Sequence, residues 1–175
     1  MNKKTEISCA EYPDVKLRMI KEDEIEMLRI WKNNNADSFF YTKEISPDQQ
    51  LKWYEGYISR DNDFMLAVYY QENLVGCIGF RILEDKLIDI YNVILGVEGF
   101  ASKGIMARTM EMLTTYLAGN YEFDITAKVL ITNKAINWYK KNGFSIAEEK
   151  EDYYLILYDK SFLKNNLQIK TVQRI

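Results

Sequence analysis

The 175-residue chain has no histidine, only two cysteines and two prolines, and no apolar run of bilayer length. The missing histidine excludes Ser-His-Asp and Cys-His hydrolases, the common zinc sites with His ligands, and a histidine general base. Any acid or base must then be Asp, Glu, Tyr, Lys or Cys. Cys9 and Cys77 are too few for a disulfide framework, and Cys77 sits inside the apolar stretch Leu74 to Phe80, which makes it a core thiol rather than a nucleophile. The opening Met-Asn-Lys-Lys-Thr-Glu lacks the apolar centre of a signal peptide, so a cytoplasmic protein with no membrane partner is expected. Basic residues are dispersed and the formal net charge is −3, which argues against nucleic acid as a partner.

What is present suits one domain over residues 1–175 with its core at about 15–158, since 47% of the residues are hydrophobic and can fill a substantial interior. Val15 to Ile20 reads as a strand, and Ile25, Leu28 and Trp31 recur at helical spacing over Glu24 to Asn33. Ser46-Pro-Asp-Gln49 is a helix start, with Ser as N-cap, Pro at the first helical position and Gln closing a capping box; Leu51, Tyr54 and Ile58 are expected on that helix's inner face. Phe64 to Tyr70, Leu74 to Ile82 and Leu87 to Val97, parted by short polar turns, read as an antiparallel meander. A helix from Gly104 to Leu117 carries Met106, Met110, Leu113 and Leu117 on one face, with Gly119-Asn120 as its stop. A strand Asp124 to Ile131, a short helix from Asn133 to Gly143, and strands Phe144 to Ala147 and Tyr153 to Tyr158 complete the chain. The order is α+β, one mixed sheet of about seven strands with about four helices. The last two strands, as edges, offer pairing across a homodimer.

Two segments carry chemistry. From Val97 to Leu113 an apolar strand breaks into a turn rich in small residues (Gly99, Ala101, Ser102, Gly104) that opens directly into a helix. The first N–H groups of a helix have no internal partner and bear partial positive charge, so such a turn admits phosphate oxygens. Downstream, Asn133, Ala135, Tyr139, Gly143 and Phe144 recur at fixed spacing.

Together these segments resemble the acyl-CoA-binding motif and following helix of the GNAT superfamily of N-acetyltransferases. The first motif, Gln/Arg-x-x-Gly-x-Gly/Ala, falls on Ala101-Ser-Lys-Gly104-Ile-Met106, with Ala101 and Met106 departing from it. The resemblance spans about Val15 to Tyr158 and implies a splay between the fourth and fifth of the seven strands. It implies acetyl-CoA as donor and no metal. The donor would lie along Ile94, Leu95, Gly96 and Val97, over the turn Ala101, Ser102, Lys103, Gly104, Ile105 and Met106, with Lys103 and Arg108 on its phosphates and Asn133 and Tyr139 beside its pantetheine. Gly96 within the strand fits a bulge or a close backbone approach.

Direct transfer from a thioester to an amine needs no enzyme nucleophile. Tyr139 is the expected general acid, because a phenol near the departing sulfur holds its proton at neutral pH and has a pKa close to a thiol's. The base is a carboxylate, Asp89 or Glu98, or a chain of water, and the residues leave that choice open. Leu28-Arg-Ile-Trp-Lys-Asn33 and Ile45-Ser-Pro-Asp-Gln-Gln-Leu-Lys-Trp53 resemble a paired pattern of the aminosugar-nucleotide and ribosomal-protein acetylating subgroup, with Lys32 in place of Arg and Gln50 in place of His. The resemblance implies an acceptor wall at Trp31, Asn33, Phe40, Tyr41 and Asn92.

Three functions follow: N-acetylation of a small-molecule amine, foremost a nucleotide-linked aminosugar; acetylation of a protein N-terminus or lysine; and a non-catalytic acyl-CoA-binding domain. An aminosugar nucleotide calls for a closed aromatic pocket with a basic contact, a protein amine for an open acidic groove.

Overall fold

A computed structural model describes residues 1–164 and 166–173. In chain order the elements are β1 (Thr5–Cys9), β2 (Val15–Met19), α1 (Ile25–Asn34), α2 (Pro47–Ile58), β3 (Asp63–Tyr70), β4 (Asn73–Ile82), β5 (Leu87–Leu95), α3 (Ile105–Asn120), β6 (Asp124–Leu130), α4 (Ile136–Lys141), β7 (Phe144–Glu149), β8 (Tyr153–Tyr158) and β9 (Ile169–Gln173). They build a nine-stranded mixed sheet in the order β7-β8-β6-β5-β4-β3-β2-β1-β9, with β5 and β6 parallel. The α+β class is as expected. The two additional strands, β1 and β9, pair with each other and extend the sheet beyond β2. β7 forms one edge, but β8, grouped with it above as an edge strand, lies between β7 and β6.

Side chains of β3 separate two cores. Phe64, Leu66 and Val68 point into a cluster with Ile105, Met110, Leu113 and Leu117 of α3, while Met65 points the other way, to Leu28 and Trp31 of α1 and Tyr57 of α2. Being covered on both faces is why β3 reads as a continuous apolar run. Met106 belongs to the α3 core despite opening its helix.

The Ser46 capping box forms as expected, Ser46 Oγ accepting the Gln49 N–H at 3.2 Å and Gln49 Oε1 accepting the Ser46 N–H at 2.8 Å. The inner face of α2 is the expected one only at Tyr54, which packs against the core of Leu28, Trp31 and Tyr57. Leu51 and Ile58 are 41% and 51% exposed, whereas Gln50 and Tyr57 are buried. The helix is rotated because Tyr57 inserts its hydroxyl beneath β3, taking the Met65 N–H at 3.0 Å. α3 ends at Asn120, within the expected Gly119-Asn120 stop, and the Asn120 side chain donates to the Tyr116 carbonyl at 2.8 Å.

The splay is set by one residue. β5 and β6 pair from Leu87↔Asp124 to Ile90↔Ala127 and then part. One position beyond, the β4–β5 register slips, Gly79 facing Tyr91 but Cys77 facing Ile94, so β5 carries an extra residue. Asn92 is in the left-handed region at φ 48°, which asparagine tolerates. Such a bulge bends its strand and turns β5 away from β6. Gly96 is therefore not the bulge but the close approach: its missing Cβ makes room for the Trp31 indole.

Candidate functional site

Where β5 leaves β6 the sheet opens into a cavity of about 830 Å³. One wall is the far end of β5. Gly96 gives its N–H to the Val75 carbonyl of β4 at 2.8 Å, and since main-chain groups alternate along a strand, Leu95 turns its own to the opened side, whereas the Val97 carbonyl is taken by the Phe100 N–H at 3.2 Å. Leu95 and Ile94 line the cavity.

At one end of the cavity stands the start of α3. Gly104 occupies its N-cap at φ 65°, and no side chain caps the helix. The first intrahelical bond runs from Arg108 N–H to the Gly104 carbonyl at 3.2 Å, so the N–H groups of Ile105, Met106 and Ala107 precede it, and all three residues line the cavity with Ala101 and Gly104. Space beside Gly104 is open, with no atom within 4 Å of where a Cβ would lie. A main-chain cradle of this kind fits the pyrophosphate of an acyl-CoA, and the free edge of β5 fits its amide chain.

Across the cavity, Tyr139 is 8% exposed and packed edge-on between Trp138 and Phe144 at centroid distances of 5.1 and 5.5 Å. Burial, aided by the charge of Asp89, raises its phenol above the ordinary value. Asp89 sits at the last rungs of β5–β6 pairing, opposite Thr126, and faces the same cavity. Burial raises its carboxyl, against the pull of Lys128 and Arg81. A phenol that keeps its proton and a carboxylate whose proton affinity is lifted toward neutrality thus share one space.

Asn133 also lines it, but its side chain is committed: Oδ1 accepts the Ala135 N–H at 2.8 Å, and Nδ2 donates to the Ser38 carbonyl at 3.2 Å. It fastens the lead into α4 to the segment after α1.

The acceptor end is built of side chains. Phe40 and Tyr41, 55% and 48% exposed, stand at the cavity with Tyr153, whose ring Phe40 meets edge-on at 5.6 Å. Asn92 lines this end, as do three cations, Lys32, Arg81 and Lys128. Arg81 stacks over the Tyr91 ring at 3.9 Å and is held 3.4 Å from the buried carboxylate of Asp63, which also accepts from the Tyr91 hydroxyl. Among the charged residues here, Arg81 and Lys128 escaped sequence reasoning. Their signal was a cation within an otherwise apolar strand.

Several expected site residues lie elsewhere. Trp31 is core, pressed on Gly96. Asn33 clamps the main chain of Ile45 through bonds of 2.9 and 3.0 Å, holding the segment that carries Phe40 and Tyr41 rather than meeting a ligand. Glu98 is exposed and outside the cavity, because the chain turns into a 3-10 segment, Glu98–Lys103, directly after β5. Ser102 and Lys103 are exposed on that segment, the Lys103 ammonium 5.6 Å from the Tyr70 and Phe100 rings. Arg108 is drawn off by Asp14, to which it donates at 2.9 and 3.0 Å. Cys77 is buried, donates to the Asn92 carbonyl at 3.4 Å and has its thiol pushed up to about 12 by burial, which leaves it inert. Among the described residues no group of His, Cys, Asp or Glu could hold a metal ion, and no helix is long and apolar enough to cross a membrane.

Residues 27–144 match the model of the acetyltransferase (GNAT) family. Over 150 residues the chain is 24% identical to the acetyltransferase PseH of Campylobacter jejuni, covering 83% of this chain and 92% of that one. The crystal structure of PseH aligns at TM-score 0.64 and 21% identity, covering 85% of this chain and 99% of that one. FdhC, a nucleotide-linked sugar GNAT, aligns at TM-score 0.71 with 16% identity, covering 85% and 88%. RimL, a ribosomal alpha-N-protein acetyltransferase in complex with coenzyme A, aligns at 0.66 with 20% identity, covering 91% and 94%. At these identities the structural likenesses show the shared fold.

Proposed function

The chain belongs to the acetyltransferase (GNAT) family, and from that premise we propose that it transfers an acetyl group from acetyl-CoA to the primary amine of a small molecule, a nucleotide-linked aminosugar. The observation that carries this reading is the single cavity bounded by the uncapped start of α3, the free edge of β5, Tyr139 and Asp89. Main-chain N–H groups of α3 and the edge of β5 hold the donor, and α4 sets Tyr139 beside its sulfur. Asp89 takes the proton of the incoming ammonium, directly or through water, so that the amine can attack the thioester carbonyl. As the carbon–sulfur bond breaks, Tyr139 gives its proton to the departing thiolate, and the second proton lost by the new amide nitrogen passes through water to restore the phenol, leaving the proton on Asp89 as the one released to solvent. The phenol's raised pKa suits the acid, and the carboxyl's raised pKa suits the base.

For the acceptor, aromatic rings with cations at hand support an aminosugar carrying phosphate over a protein segment in an acidic groove. The similarity to PseH and FdhC points the same way. The test is steady-state release of CoA thiol from acetyl-CoA with UDP-linked amino- and diaminohexoses, spermidine and an N-terminal peptide as acceptors. A kcat/KM at least about tenfold higher for an aminosugar nucleotide supports the reading; equal or greater turnover of the peptide overturns it.

A further inference from the structure

A second cavity of about 240 Å³ lies between α1 and α2, and Lys32, Tyr41 and Asn92 line both it and the large one. Its volume is below that of a complete small-molecule site, so it reads as an extension of the larger space. Two residues in it are unusual. Gln50 is 4% exposed and its side chain lines this cavity, so the little of it that is accessible opens into that space. Lys32 is half-buried at the junction of the cavities, pairs with no carboxylate among the described residues, and stands 5.5 Å from the Phe39 ring. Burial, and to a lesser degree the nearby Arg81, lower its ammonium's pKa. The remaining wall includes the Trp53 indole, its plane fixed by stacking on Tyr57 at 5.0 Å and 14°.

Resting on the acetyltransferase reading above, we infer that the small cavity is the distal acceptor subsite: Gln50 hydrogen-bonds the edge of a flat heterocycle lying along Trp53, and Lys32 holds the phosphate joining that ring to the amine-bearing part in the large cavity. Each group then meets a partner of matching chemistry. The order along the acceptor is ring, phosphate, amine, matching small cavity, junction and large cavity.

UDP, pyrophosphate and uridine serve as probes in calorimetric titrations, with CoA saturating so that the α3 phosphate cradle is filled. UDP is expected to bind more tightly than either fragment. Lys32→Met should weaken UDP and pyrophosphate by about tenfold or more and leave uridine within about twofold, as expected for a lost bond to a charged group. Gln50→Leu should weaken UDP and uridine and leave pyrophosphate unchanged. UDP binding no tighter than pyrophosphate, or unaffected by either substitution, overturns the assignment. Titration of acetyl-CoA into each variant is the control: unchanged affinity shows an intact fold, and failure of the native chain to bind acetyl-CoA would defeat the transferase reading separately.

Discussion

At the α3 end of the large cavity the polar groups on offer belong to the main chain, the N–H groups of Ile105 to Ala107 and the opened edge of β5, whereas at the α1 end they are the heads of Lys32, Arg81 and Lys128 on long stems. Tyr139 and Asp89 stand between. A main-chain site is indifferent to side-chain identity so long as nothing blocks it, which explains how Ala101 and Met106 can depart from the family motif without closing the cradle: Ala101 is small, and the Met106 side chain is folded into the core. A side-chain site has no such tolerance. Removing a side chain should therefore matter most at the reacting centre and least around the cradle.

The largest effect is expected from Tyr139→Phe, which keeps the ring and its edge-on contacts with Trp138 and Phe144 but removes the proton donor. Loss of a general acid lowers kcat by about 10³-fold. Rapid-quench measurement of acetyl transfer alongside acetyl-CoA titration checks this. Weakened donor binding with little loss of rate would instead make Tyr139 part of the cradle.

Asp89→Asn should lower kcat/KM by about 10²-fold at neutral pH and remove its acid limb. Because burial raises the Asp89 carboxyl, this base ionises at higher pH than it would in water, so that limb is shifted upward. Stability follows the opposite sign. A carboxyl raised in the folded state favours folding while protonated, and that contribution is lost as pH rises through the raised value. The variant should consequently be at least as stable as the native chain at neutral pH, with lower activity. Calorimetric melts across pH, beside the rate profile, separate the two.

The cradle itself should yield only to blockage. Gly104→Glu places a like-charged side chain over the N–H groups that would face phosphate and forces a non-glycine residue to φ 65°. It should abolish the stabilisation of about 2.7 kcal/mol that acetyl-CoA gives at ~100 times its Kd. Gly104→Ala meets no atom within 4 Å, so it carries only the left-handed backbone strain of about 1 kcal/mol and should retain most donor affinity. Equal losses from both would mean that strain, and not obstruction, is at work.

The same division between main-chain and side-chain sites governs what can be read from the chain. The turn before α3 and the Asn133-to-Phe144 spacing are contiguous, and the β4–β5 turn and the Ser46 capping box follow local rules, so they were legible. The acceptor end was legible only at Phe40, Tyr41 and Asn92; its cations were not, because Lys32, Arg81 and Lys128 come from α1, β4 and β6, and only the sheet order brings them together. Trp31 and Asn33 were misassigned for the same reason: beside Lys32 in sequence they look like one wall, yet helical spacing sends the indole into the core against Gly96 and the amide to Ile45. The bulge at Asn92 left no mark that alternation could detect. β1 and β9, each five residues long, also went unread, although β1 pairs with β2 as well as with β9.

The smallest effect sharpens the contrast most. Arg108, one turn into α3, is where sequence reasoning would put a phosphate-binding cation. Its guanidinium is spent on Asp14, 23% and 27% of the two side chains being exposed, and it also donates to the Lys103 carbonyl at 3.1 Å. Arg108→Gln should thus leave acetyl-CoA affinity within about twofold while lowering stability by about 0.5–1 kcal/mol, the range of a partly exposed ion pair. Asp14→Asn should lower stability similarly and, by releasing the guanidinium, leave affinity unchanged or tighter. If Arg108→Gln instead weakened acetyl-CoA about tenfold with unchanged melting, the cradle would rest on a side chain after all, and the division between a main-chain donor end and a side-chain acceptor end would fall.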